Sequence, residues 1–65
     1  MFYAYGNLEV VKGIAVDYHP AFTSDTLPVN AGPDALIVCA STMAEAVRRY
    51  HIAADAITED GDRRV

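Results

Sequence analysis

Six apolar residues, Ala35-Leu36-Ile37-Val38-Cys39-Ala40, run straight into Ser41-Thr42-Met43-Ala44-Glu45. This junction constrains the fold more than any other part of the chain. A continuous apolar run this short, with β-branched residues at its centre, reads as a central strand. Thr42 and Glu45 match the capping box, in which each side chain satisfies the other's free backbone N–H at a helix start. Met43, Val47, Tyr50 and Ala54 then recur at helical spacing, with Ala46 filling beside them. Glu45, Arg48 and Arg49 take the other face, where Glu45 can pair at i,i+3 and i,i+4. A helix is therefore predicted from Met43 to about Ile52.

Upstream, Phe2-Tyr3-Ala4-Tyr5 is rich in strand formers. Gly6-Asn7 is a two-residue hairpin signal of the type II′ kind. A long second strand is then expected from Leu8, with Leu8, Val10, Ile14, Val16 and Tyr18 on one face at period two. Lys12 interrupts that face, and Gly13 beside it suggests a bulge. A separate tight turn at Lys12-Gly13 is the alternative, and it leaves shorter strands. His19 to Asp34 holds all three prolines, Pro20, Pro28 and Pro33, so it reads as a loop. A loop this long in a compact domain is often functional. Phe22 and Leu27 are expected to tuck into the core and hold it down. After the helix, Asp55-Ala56-Ile57-Thr58 is expected to form a strand, with Asp60-Gly61 as a turn before Arg63-Arg64-Val65.

The expected fold class is α+β: a small antiparallel β-sheet of three to four strands with one α-helix packed on one face, in the order β-β-loop-β-α-β. The 65 residues leave room for one small core, so residues 1–65 read as a single compact α+β domain. Cys39 is the only cysteine, which excludes an internal disulfide and suits a reducing compartment. Inside its apolar run it reads as a buried, inert thiol, with a reactive thiol beside the start of the next helix as the alternative. The N-terminus has neither the basic nor the apolar region of a signal peptide. No apolar run is long enough to span a membrane. A soluble protein of the cytoplasm is the expectation.

The residues offer little for catalysis. Ser41, His51 and Asp55 supply one of each triad type, but ten residues of helix separate Ser41 from His51, about 15 Å at ~1.5 Å rise per residue. A nucleophile and its base must lie within hydrogen-bonding reach. His19, His51 and Cys39 show no metal-ligand spacing. Glu59-Asp60-Gly61-Asp62 lacks the alternating oxygen ligands of a calcium loop. No glycine-rich phosphate loop is present. No enzyme activity, no metal and no cofactor are therefore expected.

Surface is what remains. Nine acidic residues oppose five basic ones, for a net charge of -4. Such a chain does not attract phosphate backbones, but it suits partners with basic surfaces. The carboxylates that could form a partner-binding surface are Glu9 and Asp17, which share a strand parity, and the cluster Asp55, Glu59, Asp60 and Asp62, beside which Arg63 and Arg64 partly cancel the charge. Phe2, Tyr3 and Tyr5 are a second candidate, because a strand buries one face and tyrosines on the other favour interfaces.

The size, the acidity, the lone Cys39 and the sheet-plus-helix layout around "IVCASTMAEAVRRYHI" are similar to the small anti-CRISPR proteins encoded by phages and mobile elements. That resemblance implies a non-enzymatic inhibitor in the host bacterial cytoplasm that blocks target DNA or PAM recognition by a type I Cas complex. It also implies that acidic residues act as a DNA mimic opposite lysines and arginines, with Asp17, Asp55, Glu59, Asp60 and Asp62 standing in for phosphates. The step "STMAEAV" after a strand also resembles HicB-like antitoxins, which implies a small regulatory protein–protein interaction module.

Overall fold

The computed structural model describes residues 1–62, with Asp62 described by its backbone only. Four strands and one helix follow in order: β1 (Phe2–Val11), β2 (Ile14–Tyr18), β3 (Phe22–Ser24), β4 (Ala35–Ala40) and α1 (Met43–Asp62). They form an antiparallel four-stranded sheet with the helix packed against it, the α+β class expected from the residues.

Every other strand pairs with β1. Along Tyr3–Tyr5 it is paired on both sides, by β3 and by β4. Its far half pairs with β2, with Leu8 opposite Tyr18 and Val11 opposite Ile14. The registers make β2 and β3 one antiparallel arm interrupted at His19–Ala21, with a further irregularity between Glu9 and Val10. Pro20 sits in that interruption, where a missing backbone N–H breaks no ladder.

The first hairpin turns at Lys12-Gly13, not at Gly6-Asn7. Lys12 has φ 54° and Gly13 φ 80°, the two positive values that a type I′ connection requires. Gly6 instead lies inside β1 opposite Leu36. It is glycine because a Cβ there would run into Tyr50 Oη and lie 3.0 Å from Tyr50 Cζ. The glycine makes room for packing, which a local turn pattern does not separate from turn chemistry.

Even positions of β1 face the helix. Ala4 and Gly6 are buried, and Leu8 packs at the margin of the core. Their cross-strand partners Leu36, Val38 and Ala40 share that face. The buried cluster is Ala4, Ala40, Ala46, Tyr50 and Ala54. Small residues on both surfaces bring helix and sheet close, and Tyr50 fills the space between as the only large side chain fully enclosed among the described residues. Its hydroxyl donates to the His19 carbonyl at 2.9 Å, which gives the buried phenol the partner it needs. Its edge-to-face contact with Tyr18 has a centroid separation of 5.8 Å.

The helix is longer than expected and takes up the residues assigned to a final strand. Asp55–Thr58 are helical, and so are Asp60 and Gly61. Ala46, Tyr50 and Ala54 form an unbroken i,i+4 stripe. Ala53 and Ala56 carry good helix propensity, and Thr58 Oγ1 donates to the Ala54 carbonyl at 3.0 Å without ending the helix. Gly61 is buried against Ile14 and Ala15, so the last turn is held by the first hairpin. The expected segment Arg63-Arg64-Val65 lies outside the described residues.

Two loop residues differ from expectation. Phe22 is 65% exposed and Leu27 57% exposed. The β3 pairing, and not burial of these side chains, secures this stretch: Phe22 sits opposite Tyr5 on the sheet face away from the helix.

Candidate protein-binding surface

The topology gathers the six carboxylate positions into one half of the molecule. Glu9 and Asp17 are direct cross-strand partners in the β1–β2 hairpin. The neighbouring pair Leu8 and Tyr18 packs toward the helix, so Glu9 and Asp17 point to the opposite face, and both are exposed. Asp55, Glu59, Asp60 and Asp62 lie on the last two turns of α1, the part that packs over this hairpin. The two groups therefore occupy the same end of the fold on opposite sides of the sheet. Lys12 stands at the hairpin tip.

Tyr18 joins the two groups. Its backbone N–H donates to Asp17 Oδ1 at 2.8 Å, and its phenol donates to Asp55 Oδ1 at 2.6 Å. The bond to Asp55, reinforced by burial and by the charge of that carboxylate, pushes the Tyr18 phenol above its usual range. His51 lies beside it, with ring centroids 5.8 Å apart.

Two ion pairs sit near the other end of the helix. Glu45 accepts from Arg48 at 2.8 Å and from Arg49 at 3.3 Å. The Arg48 guanidinium holds the Glu45 carboxyl below the usual carboxylate range. Only half of the capping box forms. Thr42 Oγ1 accepts the Glu45 N–H at 3.2 Å, while the Glu45 carboxylate turns to the two arginines. Among the described residues no cation meets Glu9 or Asp17. Like charges directly opposite across a strand pair destabilise it. The last described turn of the helix carries no basic residue.

The face of the sheet away from the helix carries a second feature. Tyr3 and Tyr5 point there, with Phe22, Ile37 and Cys39 beside them by register. Tyr5 and Phe22 contact with ring centroids 6.0 Å apart. A shallow groove of about 370 Å³ opens next to them, lined by Tyr5, Phe22, Pro28 and Val29 among others. The tyrosines were legible as interface candidates, whereas Phe22 and Ile37 were not. Cys39 is half-buried on this face, not enclosed as its apolar run suggested. No group of three or more His, Cys, Asp or Glu side chains is placed to hold a metal ion among the described residues. Among the described residues no helix is long and apolar enough to cross a membrane.

Compared with protein-family models, with curated proteins and with solved structures, the chain matches none.

Proposed function

We propose that this chain is a non-enzymatic inhibitor that docks its acidic half on a basic, nucleic-acid-holding surface of a larger protein. The observation that carries this reading is the convergence of Glu9, Asp17, Asp55, Glu59, Asp60 and Asp62 on the hairpin and the helix end packed over it. Spread evenly, nine carboxylates would serve solubility. Collected at one end, with Glu9 opposite Asp17 and no described cation between them, they make a field that steers and holds lysines and arginines. In keeping with the resemblance to small anti-CRISPR proteins, the partner is a Cas subunit of a type I complex, and the carboxylates occupy positions that target-DNA phosphates would take.

The test is competition. Increasing amounts of the chain are added to a type I surveillance complex bound to labelled target DNA. The expected result is displacement of the DNA. Retention of DNA at saturating inhibitor contradicts the proposal.

A second reading, a HicB-like antitoxin module, is supported by one feature. The strand-to-helix step is present as β4, Ser41-Thr42 and α1, with Thr42 capping the helix. It requires a small basic toxin encoded beside this chain, and co-purification of that toxin would favour it over the Cas partner.

A further inference from the structure

We propose that this chain forms a symmetric dimer in which β4 pairs antiparallel with β4 of a second copy across a two-fold at Ile37. In β4 the even residues bond to β1, as the Leu8 N–H to Asp34 carbonyl bond of 2.8 Å shows for the end of that ladder. The odd residues Ala35, Ile37 and Cys39 therefore turn their backbone groups to the far edge, where no other strand lies among the described residues. Two of those groups are already satisfied. The Ala35 N–H donates to the Gly32 carbonyl at 3.1 Å, and the Cys39 carbonyl accepts from Arg49 at 3.0 Å.

Four groups are left over: the Ile37 N–H, the Ile37 carbonyl, the Cys39 N–H and the Ala35 carbonyl. Under a two-fold with Ile37 opposite Ile37 and Ala35 opposite Cys39, these four are their own complement. Each Ile37 N–H meets the other copy's Ile37 carbonyl, and each Cys39 N–H meets the other copy's Ala35 carbonyl. Such an isologous contact closes on itself and exposes no further edge there. Ala35–Ala40 itself has no charged residue, proline or bulge that would block pairing at the four remaining groups.

Two further observations favour a second copy over a strand of another protein. The same register sets Asp34 opposite Ala40 of the other copy, and so places it alongside that copy's Arg49, whose guanidinium lies at the Cys39 end of the edge. The two-fold makes two such pairs. The contact also continues the apolar strip, joining Phe22, Tyr5 and Ile37 to the same three residues of the other copy. Ile52, 60% exposed and one turn along from Arg49 on the same side of the helix, comes to the helix–helix seam above.

The full chain is measured by size-exclusion chromatography with light scattering across a concentration series. The mass expected at high concentration is twice the 7.0 kDa of one chain. Ile37→Lys puts two like charges at the two-fold and is expected to give a monomer with an unchanged circular dichroism spectrum. Should that variant unfold, Ile37→Cys in a Cys39→Ser background decides. Directly opposed residues of a hydrogen-bonded pair lie ~5.5 Å apart at Cα, within disulfide reach, so mild oxidation is expected to give a covalent dimer, whereas Val29→Cys in the same background gives none. A single-chain mass at every concentration overturns the proposal, including the case in which the monomer captures a strand of another protein. So does a dimer in which the Ile37→Cys variant fails to cross-link.

Discussion

The Tyr18 phenol donates a 2.6 Å hydrogen bond to Asp55 Oδ1, tying β2 to α1 beyond the point where the helix was expected to end. The bond requires a protonated phenol, and it holds the Tyr18 pKa above the ordinary tyrosine value. A group whose folded pKa is raised contributes stability that is fully present below its unfolded pKa and lost as pH rises through the folded one. The contribution of this bond to folding stability should therefore be constant below about pH 10, the unperturbed tyrosine value, and be lost above it. Burial of Tyr50 acts in the same direction. Denaturant midpoints across this range should fall less steeply in Tyr18→Phe than in the wild type. Equal slopes would show that Tyr50 alone sets the dependence.

Gly6 and Tyr50 form the tightest helix–sheet approach. Gly6→Ala drives a methyl into the Tyr50 ring and displaces the bond to His19. Overpacking of this kind costs about 1–3 kcal/mol. In Gly6→Ala/Tyr50→Phe the displaced hydroxyl is gone, so the two losses should be less than additive. A double-mutant cycle by urea denaturation measures this directly.

Thr42 caps α1 through the Glu45 N–H. Thr42→Ala should cost about 1 kcal/mol. Because the Glu45 carboxylate serves Arg48 and Arg49 and not the Thr42 N–H, Glu45→Gln should change the melting temperature far less than Thr42→Ala. Equal losses would indicate that the reciprocal half of the capping box forms in solution.

Much of this was readable from the residues because it is local. The β4-to-α1 junction declares itself through an apolar run, a cap and a helical period, all within reach of one another. The class of fold follows from that junction and the strand formers before it. What was not readable depended on contacts distant in sequence. Gly6 is glycine because of Tyr50, forty-four positions away. The helix continues through Asp55–Thr58 because Ala54 is buried and Gly61 meets Ala15, so propensity yields to tertiary packing. Phe22 has no periodic partner in its own segment, and only its register with Tyr5 puts it on the uncovered face. The six carboxylates could be named from charge and spacing, but the sequence gives no sign that a hairpin and a helix end would bring them to one half of the molecule.

Glu9 and Asp17 face each other across the first hairpin with no described cation between them. Glu9→Lys replaces like charges by an opposite pair, and should stabilise the fold by about 0.2–1 kcal/mol. If the pair serves a basic partner, the same variant should bind that partner more weakly. Opposite signs for stability and affinity separate a binding role from a structural one. A variant that is both more stable and equally competent would remove Glu9 from the interface.

The most direct measurement is the affinity of the chain for a type I surveillance complex as a function of salt, for the wild type and for a variant with Glu59, Asp60 and Asp62 reversed to Lys. An acidic surface opposed to lysines and arginines loses affinity as ionic strength rises. The expected result is a steep fall for the wild type, with weaker and flatter binding in the variant and loss of its ability to displace target DNA. Wild-type binding that is insensitive to salt, or a variant that binds and inhibits as well as the wild type, would contradict the acidic-surface account.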